Sequence, residues 1–376
     1  MKCVQEKRAA LLQWLKKPTY DSASILYILT AFLGVVAFGL VLWFGVQYFS
    51  GVDSSRTIVH PLAGRDTEED EEGKCMFTRL LDGVCVQTAD DVSGRHVAIM
   101  IENHFEANPL SGIGDASVVY EAPVEGHIPR LLAIYPATAD VSKVGPVRSA
   151  RPYYLDWVSE YGDPMYMHVG GSPEALEKIW AFDIFDMNEF SRGWYYWRSD
   201  ERSAPHNTYT SSKLWNEAFD RYGTDELVDL TDGWKFGPMD ACVDGCVSRI
   251  DIEHSLGGYD IAWEYNTTTE QYERTQFGRV HADAGGPGYV ADTVLLQRVD
   301  AEVVDEIGRL HIATIGEGEG YVFRNGYAIH ATWEKESRTS RTRWFDEQNE
   351  EITLKPGKIW VQVVSQYGSV DVTVAE

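Results

Sequence analysis

Hydrophobic positions follow three regimes along the chain. From Ser22 to Val52 there is no charged residue, and the 22 residues Ile25–Val46 are almost wholly apolar. At about 1.5 Å per residue a helix of that length reaches ~33 Å, enough for a hydrocarbon core of ~30 Å. From Arg95 onward, short apolar runs alternate with helical stripes. Val97–Ile101, Ser117–Ala122, Arg130–Tyr135 and Met165–Val169 predict buried strands. Tyr154, Leu155, Val158 and Tyr161 predict the apolar stripe of a helix whose first position is Pro152, where the missing N–H is not needed. Ser172 predicts the N-cap of a second helix, with Glu174 in its first turn, and Ser211 or Ser212 predicts the cap of a third. After about Gly223 the segments are alternating, β-branched and aromatic. Ser248–His254, Tyr259–Tyr265, Val294–Val299, Leu310–Ile315 and Ile359–Val364 predict strands. Asn325-Gly326 predicts a two-residue hairpin turn between Tyr321–Arg324 and Tyr327–Trp333.

These patterns predict an α+β protein, with an N-terminal α/β half built on a mixed sheet and a β-rich C-terminal half, tethered by one N-terminal transmembrane helix. The expected division is a cytoplasmic basic tail over 1–23, the transmembrane helix over 24–47 and an acidic linker over 48–74. An α/β domain follows over 75–223 and a β-rich domain over 224–376, with the boundary falling between 223 and 247. No repeat of solenoid length is present.

Charge gives the expected topology. Residues 1–50 carry five Lys/Arg against Glu6 and Asp21, a balance of +3, so with −25 for the whole chain the remainder carries −28. Basic residues before the apolar segment and acidic ones after it place the N-terminus in the cytoplasm and the long body outside. A cleaved signal peptide would have a shorter apolar region and a small-residue cleavage site, whereas Trp43, Phe44, Tyr48 and Phe49 crowd this exit. Val4–Lys17 sets Leu11, Leu12, Trp14 and Leu15 on one helical arc, as suits a short helix on the inner leaflet. Glu68-Glu-Asp-Glu-Glu72 reads as a solvated spacer. So acidic a body repels nucleic acid, which removes DNA and RNA from the expected partners. Outside the membrane Cys75 with Cys85 and Cys242 with Cys246 can oxidise into two short loops. A four-cysteine zinc site is the alternative, against which the unequal spacings weigh.

Candidate chemistry gathers around Val144-Gly-Pro-Val-Arg-Ser-Ala-Arg-Pro152. The candidate ligand-binding residues are Glu102, Asn103, His104, Glu121, Glu125, Arg130, Arg148, Arg151, His168, Gly170, Gly171, Ser172, Arg202, His206 and Asn207. A strand followed by Gly-Gly-Ser and a helix start suits an anion, and a guanidinium fork suits carboxylate or phosphate. His168 or His206 with Glu102 or Glu121 would be the acid–base candidates of an enzyme. A Gly-x-Ser-x-Gly nucleophile is excluded at Ser172, because its oxyanion hole uses the next backbone N–H and Pro173 has none. The scatter of Glu102, His104, Glu121, Glu125, His127, His168 and His206 matches no helical metal pattern. Pairing of the acids with Arg130, Arg148, Arg151 and Arg202 is the expectation, and neither metal nor cofactor is expected.

These same residues resemble the YerB-like family of bacterial envelope lipoproteins. The likeness rests on Val97–His104, Val119–Ala122 with Glu125, Gly126 and Arg130, the Val144–Pro152 hub, His168–Pro173 and Ala204–Asn207, and continues through Gly320–Trp333 and Leu354–Trp360. It implies a bacterial, extracytoplasmic protein with an α/β part followed by a β-rich part, and carries over no catalytic residues. The chain departs from the family in two places. Cys3 precedes the apolar stretch with no lipobox, so a membrane helix replaces the lipid anchor. His127 stands where the family usually has a small residue. The expected function is therefore a membrane-anchored, extracytoplasmic, single-pass protein that binds an anionic cell-envelope component, such as a glycan, a peptide carboxylate or a phosphate polymer, at an arginine-rich cleft. A hydrolase or transferase on such substrates is the alternative, as is a scaffold for envelope proteins using the aromatic run Trp194–Trp197.

Overall fold

A computed structural model of the chain describes Cys75 and residues 77–223, 233–254 and 258–375. The expected basic tail, the apolar segment Ile25–Val46 and the acidic linker lie outside the described residues. Among those described, no helix is long and apolar enough to cross a membrane. The body is mixed α+β and rich in strands.

Its centre is a mixed ten-stranded sheet. The strands are β1 (His96–Glu102), β2 (Val118–Pro123), β3 (Pro129–Pro136), β4 (Met165–His168) and β5 (Asp186–Asn188) from the first half of the chain. A second sheet takes β6 (Val247–Glu253), β7 (Ile261–Asn266) and β8 (Gln271–Gln276). The second half of the chain then returns to the large sheet with β9 (Thr293–Val299), β10 (Gly316–Arg324), β11 (Tyr327–Lys335), β12 (Arg343–Phe345) and β13 (Ile359–Ser365), while β14 (Ser369–Val374) closes the second sheet on β6. The order across the large sheet is β12-β11-β10-β9-β13-β2-β3-β1-β4-β5, so strands from both halves of the chain share one hydrogen-bonded ladder. They join where β13 lies parallel to β2, Trp360 opposite Val119 and Gln362 opposite Glu121. The Asn325-Gly326 turn forms as the sequence predicts. Both residues have positive φ (48° and 82°), the backbone that twists a two-residue hairpin to match its strands.

Every residue of β1, β2 and β3 is buried, because both faces of the sheet are covered. Strand alternation divides the core in two. Val97, Ile99, Ile101, Val119, Leu131 and Ala133 face the second sheet and α3 (Ser212–Tyr222), with Trp215, Ile250 and Trp263. Ala98, Met100, Val118, Tyr120, Leu132 and Ile134 face α1 (Tyr154–Val158) and α2 (Pro173–Ala181), with Leu155, Trp157 and Ile179. Ser172 caps α2 as expected, accepting from the Ala175 N–H at 3.3 Å. Helix α1 begins at Tyr154, two residues after Pro152. Ser211 occupies the cap position of α3 without a capping bond, and Ser212 Oγ accepts instead from the Val141 N–H at 3.1 Å. Both cysteine pairs are disulfide-bonded, Cys75 to Cys85 and Cys242 to Cys246, which removes the zinc alternative for them.

Candidate functional site

The Val144–Pro152 hub is stitched into the C-terminal ends of β1 and β4. Glu102 N–H donates to the Pro146 carbonyl (2.9 Å) and Arg148 N–H to the Met100 carbonyl (2.8 Å), so the segment runs beside the end of β1. On its other side Val147 N–H reaches the Thr208 carbonyl and Val169 N–H reaches the Arg148 carbonyl. Gly145 has to be glycine here. Its φ of +142° is open only to a residue without a side chain, and a Cβ would stand 2.8 Å from the Thr208 carbonyl oxygen.

This placement brings three arginines together on the helix side of the sheet. Arg130 is only 7% exposed, and its Nη1 donates to the Ser149 carbonyl at 2.9 Å. Burial, with Arg151 and Arg148 close by, pulls its pKa down to about 10, and no carboxylate pairs with it among the described residues. Arg151 forks onto Glu125, with Nε and Nη2 each at 2.7 Å from an oxygen. Burial works against the ionised Glu125, but the hydrogen bonds and charge of Arg151 prevail and hold its pKa below the usual value. Arg148 sets Nε 3.1 Å from Glu102 Oε1, and its terminal nitrogens meet no acceptor among the described residues. The other oxygen of Glu102 meets His206 Nδ1 at 2.8 Å. His206 Nε2 lies 3.3 Å from Glu106, and the His104 ring stacks on His206 at 5.4 Å. Arg130, Arg148, Arg151, Glu102, Glu125, His104 and His206 therefore form one polar face.

The remaining candidates lie elsewhere or are spent on the scaffold. Glu121 is one residue out of phase with Glu102 and Arg130, so strand alternation turns it to the opposite face of the sheet. There it is wholly buried against Arg274 at 2.7 Å, and accepts from Asn103 Nδ2 (2.9 Å), Gln362 Nε2 (3.1 Å) and Trp360 Nε1 (3.3 Å). Of the expected acid–arginine pairs, Glu102 with Arg148 and Glu125 with Arg151 form, Arg130 and Arg202 bind backbone carbonyls instead, and Glu121 pairs with Arg274, a residue outside the expected set. The signal was in β8, where Tyr272, Arg274 and Gln276 occupy the inward, apolar phase of the strand. His168 is also fully buried, with Nδ1 on the Gly170 carbonyl and Nε2 on Asp186, both at 2.7 Å. No ring nitrogen remains to exchange a proton with a substrate. The Gly170-Gly171-Ser172 loop is a joint rather than an open cradle: Gly170 N–H goes to Asn188, Ser172 N–H to the Ala150 carbonyl, and the Gly170 carbonyl accepts from Ala150.

Arg202 clamps the carbonyls of Ala107 and Pro109, and Asn207 ties Ser199 to Arg198. In the run Trp194–Trp197 only Trp194 stands out in solvent, with Tyr195 and Tyr196 in the core. A cavity of about 390 Å³, lined by Arg95, Asp163, Asp186, Arg192, Phe219 and Tyr222 among others, contains none of the hub arginines.

Comparison with known proteins agrees with this architecture. The chain is 28% identical over 291 residues to the protein named "Putative lipoprotein YerB" of Bacillus subtilis (strain 168), covering 75% of this chain and 85% of that one. The crystal structure of the YerB protein from Bacillus subtilis superposes with a TM-score of 0.69 at 27% identity, covering 78% of this chain and 99% of that chain. Residues 81–225 match the N-terminal domain of the family described as protein of unknown function (DUF3048), and residues 250–361 match its C-terminal domain. The chain belongs to the YerB-like DUF3048 family and carries both of its domains.

Proposed function

We propose that the protein is an extracytoplasmic binder of an anionic cell-envelope component, held at the membrane by Ile25–Val46, with the Arg130, Arg148 and Arg151 face as its contact. One observation carries this reading: three guanidinium groups share two carboxylates, Glu102 and Glu125. Arg130 is buried with no carboxylate in direct ion-pair contact among the described residues, although its charge reaches Glu125, in a body whose net charge favours the opposite sign. A buried, unpaired cation is costly, and a carboxylate or phosphate arriving at this face would supply the missing partner. Arg148 is the first contact, since Glu102 offsets its charge at 3.1 Å without a hydrogen bond to the buried Nε, and its terminal fork meets no acceptor among the described residues. The lipoprotein name of the Bacillus relative supports a membrane-held body, and the uncharged run with basic residues before it supports the N-in orientation.

The test uses full-length protein in detergent, sedimented with cell-wall fragments carrying a phosphodiester polymer or peptide carboxylates. Arg148→Ala and Arg151→Ala should each weaken binding about tenfold, the effect of losing a charged hydrogen bond of ~1.5 kcal/mol. Unchanged binding in both variants removes the basis of the reading. Protease accessibility of the C-terminal body in intact cells tests the orientation. An envelope hydrolase or transferase is the second reading, favoured by the 2.8 Å contact between His206 and Glu102, a geometry suited to acid–base work. If purified protein releases no new product from wall digests, with or without divalent metal, that reading fails.

A further inference from the structure

At the edge of the arginine face His104, Glu106 and His206 bring three ligand atoms within 4.8 Å of one another. The hydrogen-bonding logic of this corner is unbalanced. Glu102 is 5% exposed, and an ionised carboxylate can only accept, so the His206 nitrogen 2.8 Å away, Nδ1, carries the proton. In the neutral ring Nε2 then presents a lone pair, and it presents it to the Glu106 carboxylate at 3.3 Å, another acceptor. His104 Nδ1 also turns a lone pair to this corner. It accepts from the Glu106 N–H at 3.2 Å and lies 3.8 Å from the Glu106 carboxylate. His206 Nε2 and the Glu106 carboxylate thus face each other as two acceptors, with no donor between them among the described residues, and His104 Nδ1 would exchange its bond from the Glu106 N–H for a metal.

We infer that His104, Glu106 and His206 form a binding site for one divalent transition-metal cation, with zinc the best match. Two donors held ~2.0–2.1 Å from a tetrahedral zinc lie ~3.3–3.4 Å apart. The 3.3 Å separation already has that value, the 3.8 Å one needs a small closure, and the separation between the two histidines, within 4.8 Å, sets how far the His104 loop has to close. Two imidazoles and a carboxylate suit zinc and its first-row neighbours and disfavour magnesium or calcium, which take oxygen ligands. The surroundings match as well. Metal-bound histidines usually donate their second N–H to a carboxylate that fixes the tautomer, which is the relation of His206 to buried Glu102. Tyr259 from the second half of the chain sets its ring 6.3 Å from His104 and walls the site on one side. Three protein ligands leave a fourth position for water or for an anionic group bound at Arg148, which stands on the other oxygen of Glu102. The inference does not rest on the anion-binding reading.

The experiment is zinc uptake by the full-length, chelator-treated protein in detergent, measured as metal per chain after equilibrium dialysis and as the visible spectrum with cobalt(II) in place of zinc. One metal per chain, with the intense absorption of four-coordinate cobalt, is expected. His104→Ala with His206→Ala should abolish both signals, while His330→Ala, at an exposed histidine remote in sequence from the ligands, should leave them intact. Glu102→Gln should weaken affinity about 10- to 100-fold, the range for a group that orients a metal-bound histidine. Near-ultraviolet circular dichroism of each variant establishes that it is folded. Arg148→Ala should weaken anion binding about tenfold and keep the metal, so the two proposals fail separately. If the wild-type chain takes up no metal, or the double variant takes up as much, the site is an ion pair in which a protonated His206 bridges Glu102 and Glu106, and the inference is overturned.

Discussion

Glu121 and Arg274 meet at 2.7 Å with both side chains wholly out of solvent, tying β2 to β8 across 153 residues of sequence. The pair is packed in by neighbours, although Arg274 Nη1 finds no hydrogen-bond partner among the described residues. Arg274 Nε donates to His281 at 3.0 Å, His281 Nε2 meets Asn108 at 2.9 Å, and the rings of Trp263 and Trp360 flank the guanidinium. Breaking a buried pair leaves its partner charged and unsolvated. Arg274→Ala should therefore cost ~3–5 kcal/mol in denaturant unfolding. The double variant with Glu121→Ala should lose less than the sum of the two single losses.

Acid should destabilise the fold well before most carboxylates titrate. His96 is fully buried, and burial first, with the charges of Arg341 and Arg79 behind it, lowers its pKa to about 3. Burial lowers His254 too, and sets His281 well below the ordinary value. A histidine depressed in the folded state binds its proton preferentially when unfolded. Its stabilisation is complete above pH ~6.5 and is lost as pH falls toward its folded pKa. For His96 the loss is ~1.4 kcal/mol per pH unit, of order 4 kcal/mol by pH 3. Urea unfolding between pH 7 and 4 checks this, and His96→Gln should flatten the slope.

The hub depends on one backbone position. Gly145→Ala forces a Cβ into the left-handed region and against the Thr208 carbonyl, so it should cost ~1–3 kcal/mol and weaken anion binding by displacing Arg148. Gly193→Ala, at a φ of −58° with open space around it, should be tolerated. Equal effects of the two substitutions on the thermal midpoint would contradict this account.

The two disulfides close loops with sequence separations of 10 and 4 residues. Chain-entropy reasoning gives ~3 kcal/mol for the first and ~2 kcal/mol for the second. Intact mass should rise by four hydrogens on reduction, two for each bond. Cys75→Ser with Cys85→Ser should lower stability slightly more than the equivalent change at Cys242 and Cys246.

The sequence alone was enough for the elements whose signal is local. Apolar runs marked β1 to β4, Asn325-Gly326 marked its hairpin, and Ser172 marked the start of α2, because side-chain period, turn backbone and capping each act within a few residues. Short partners of the long strands, such as β12, carried too little pattern to be found. The arginine hub was legible because its residues are close in sequence. Which acids would reach it was not. Glu102 and Glu121 look equivalent as strand-end carboxylates, and only the pairing of β1, β2 and β3 fixes that one turns to the helices and the other to the second sheet. Arg274, 153 residues from its partner, and Glu106, an ordinary loop acid until His206 folds over it, gain their roles from contacts made across the sheet. Such long-range contacts depend on register and strand order, which composition and spacing leave open and tertiary structure alone decides.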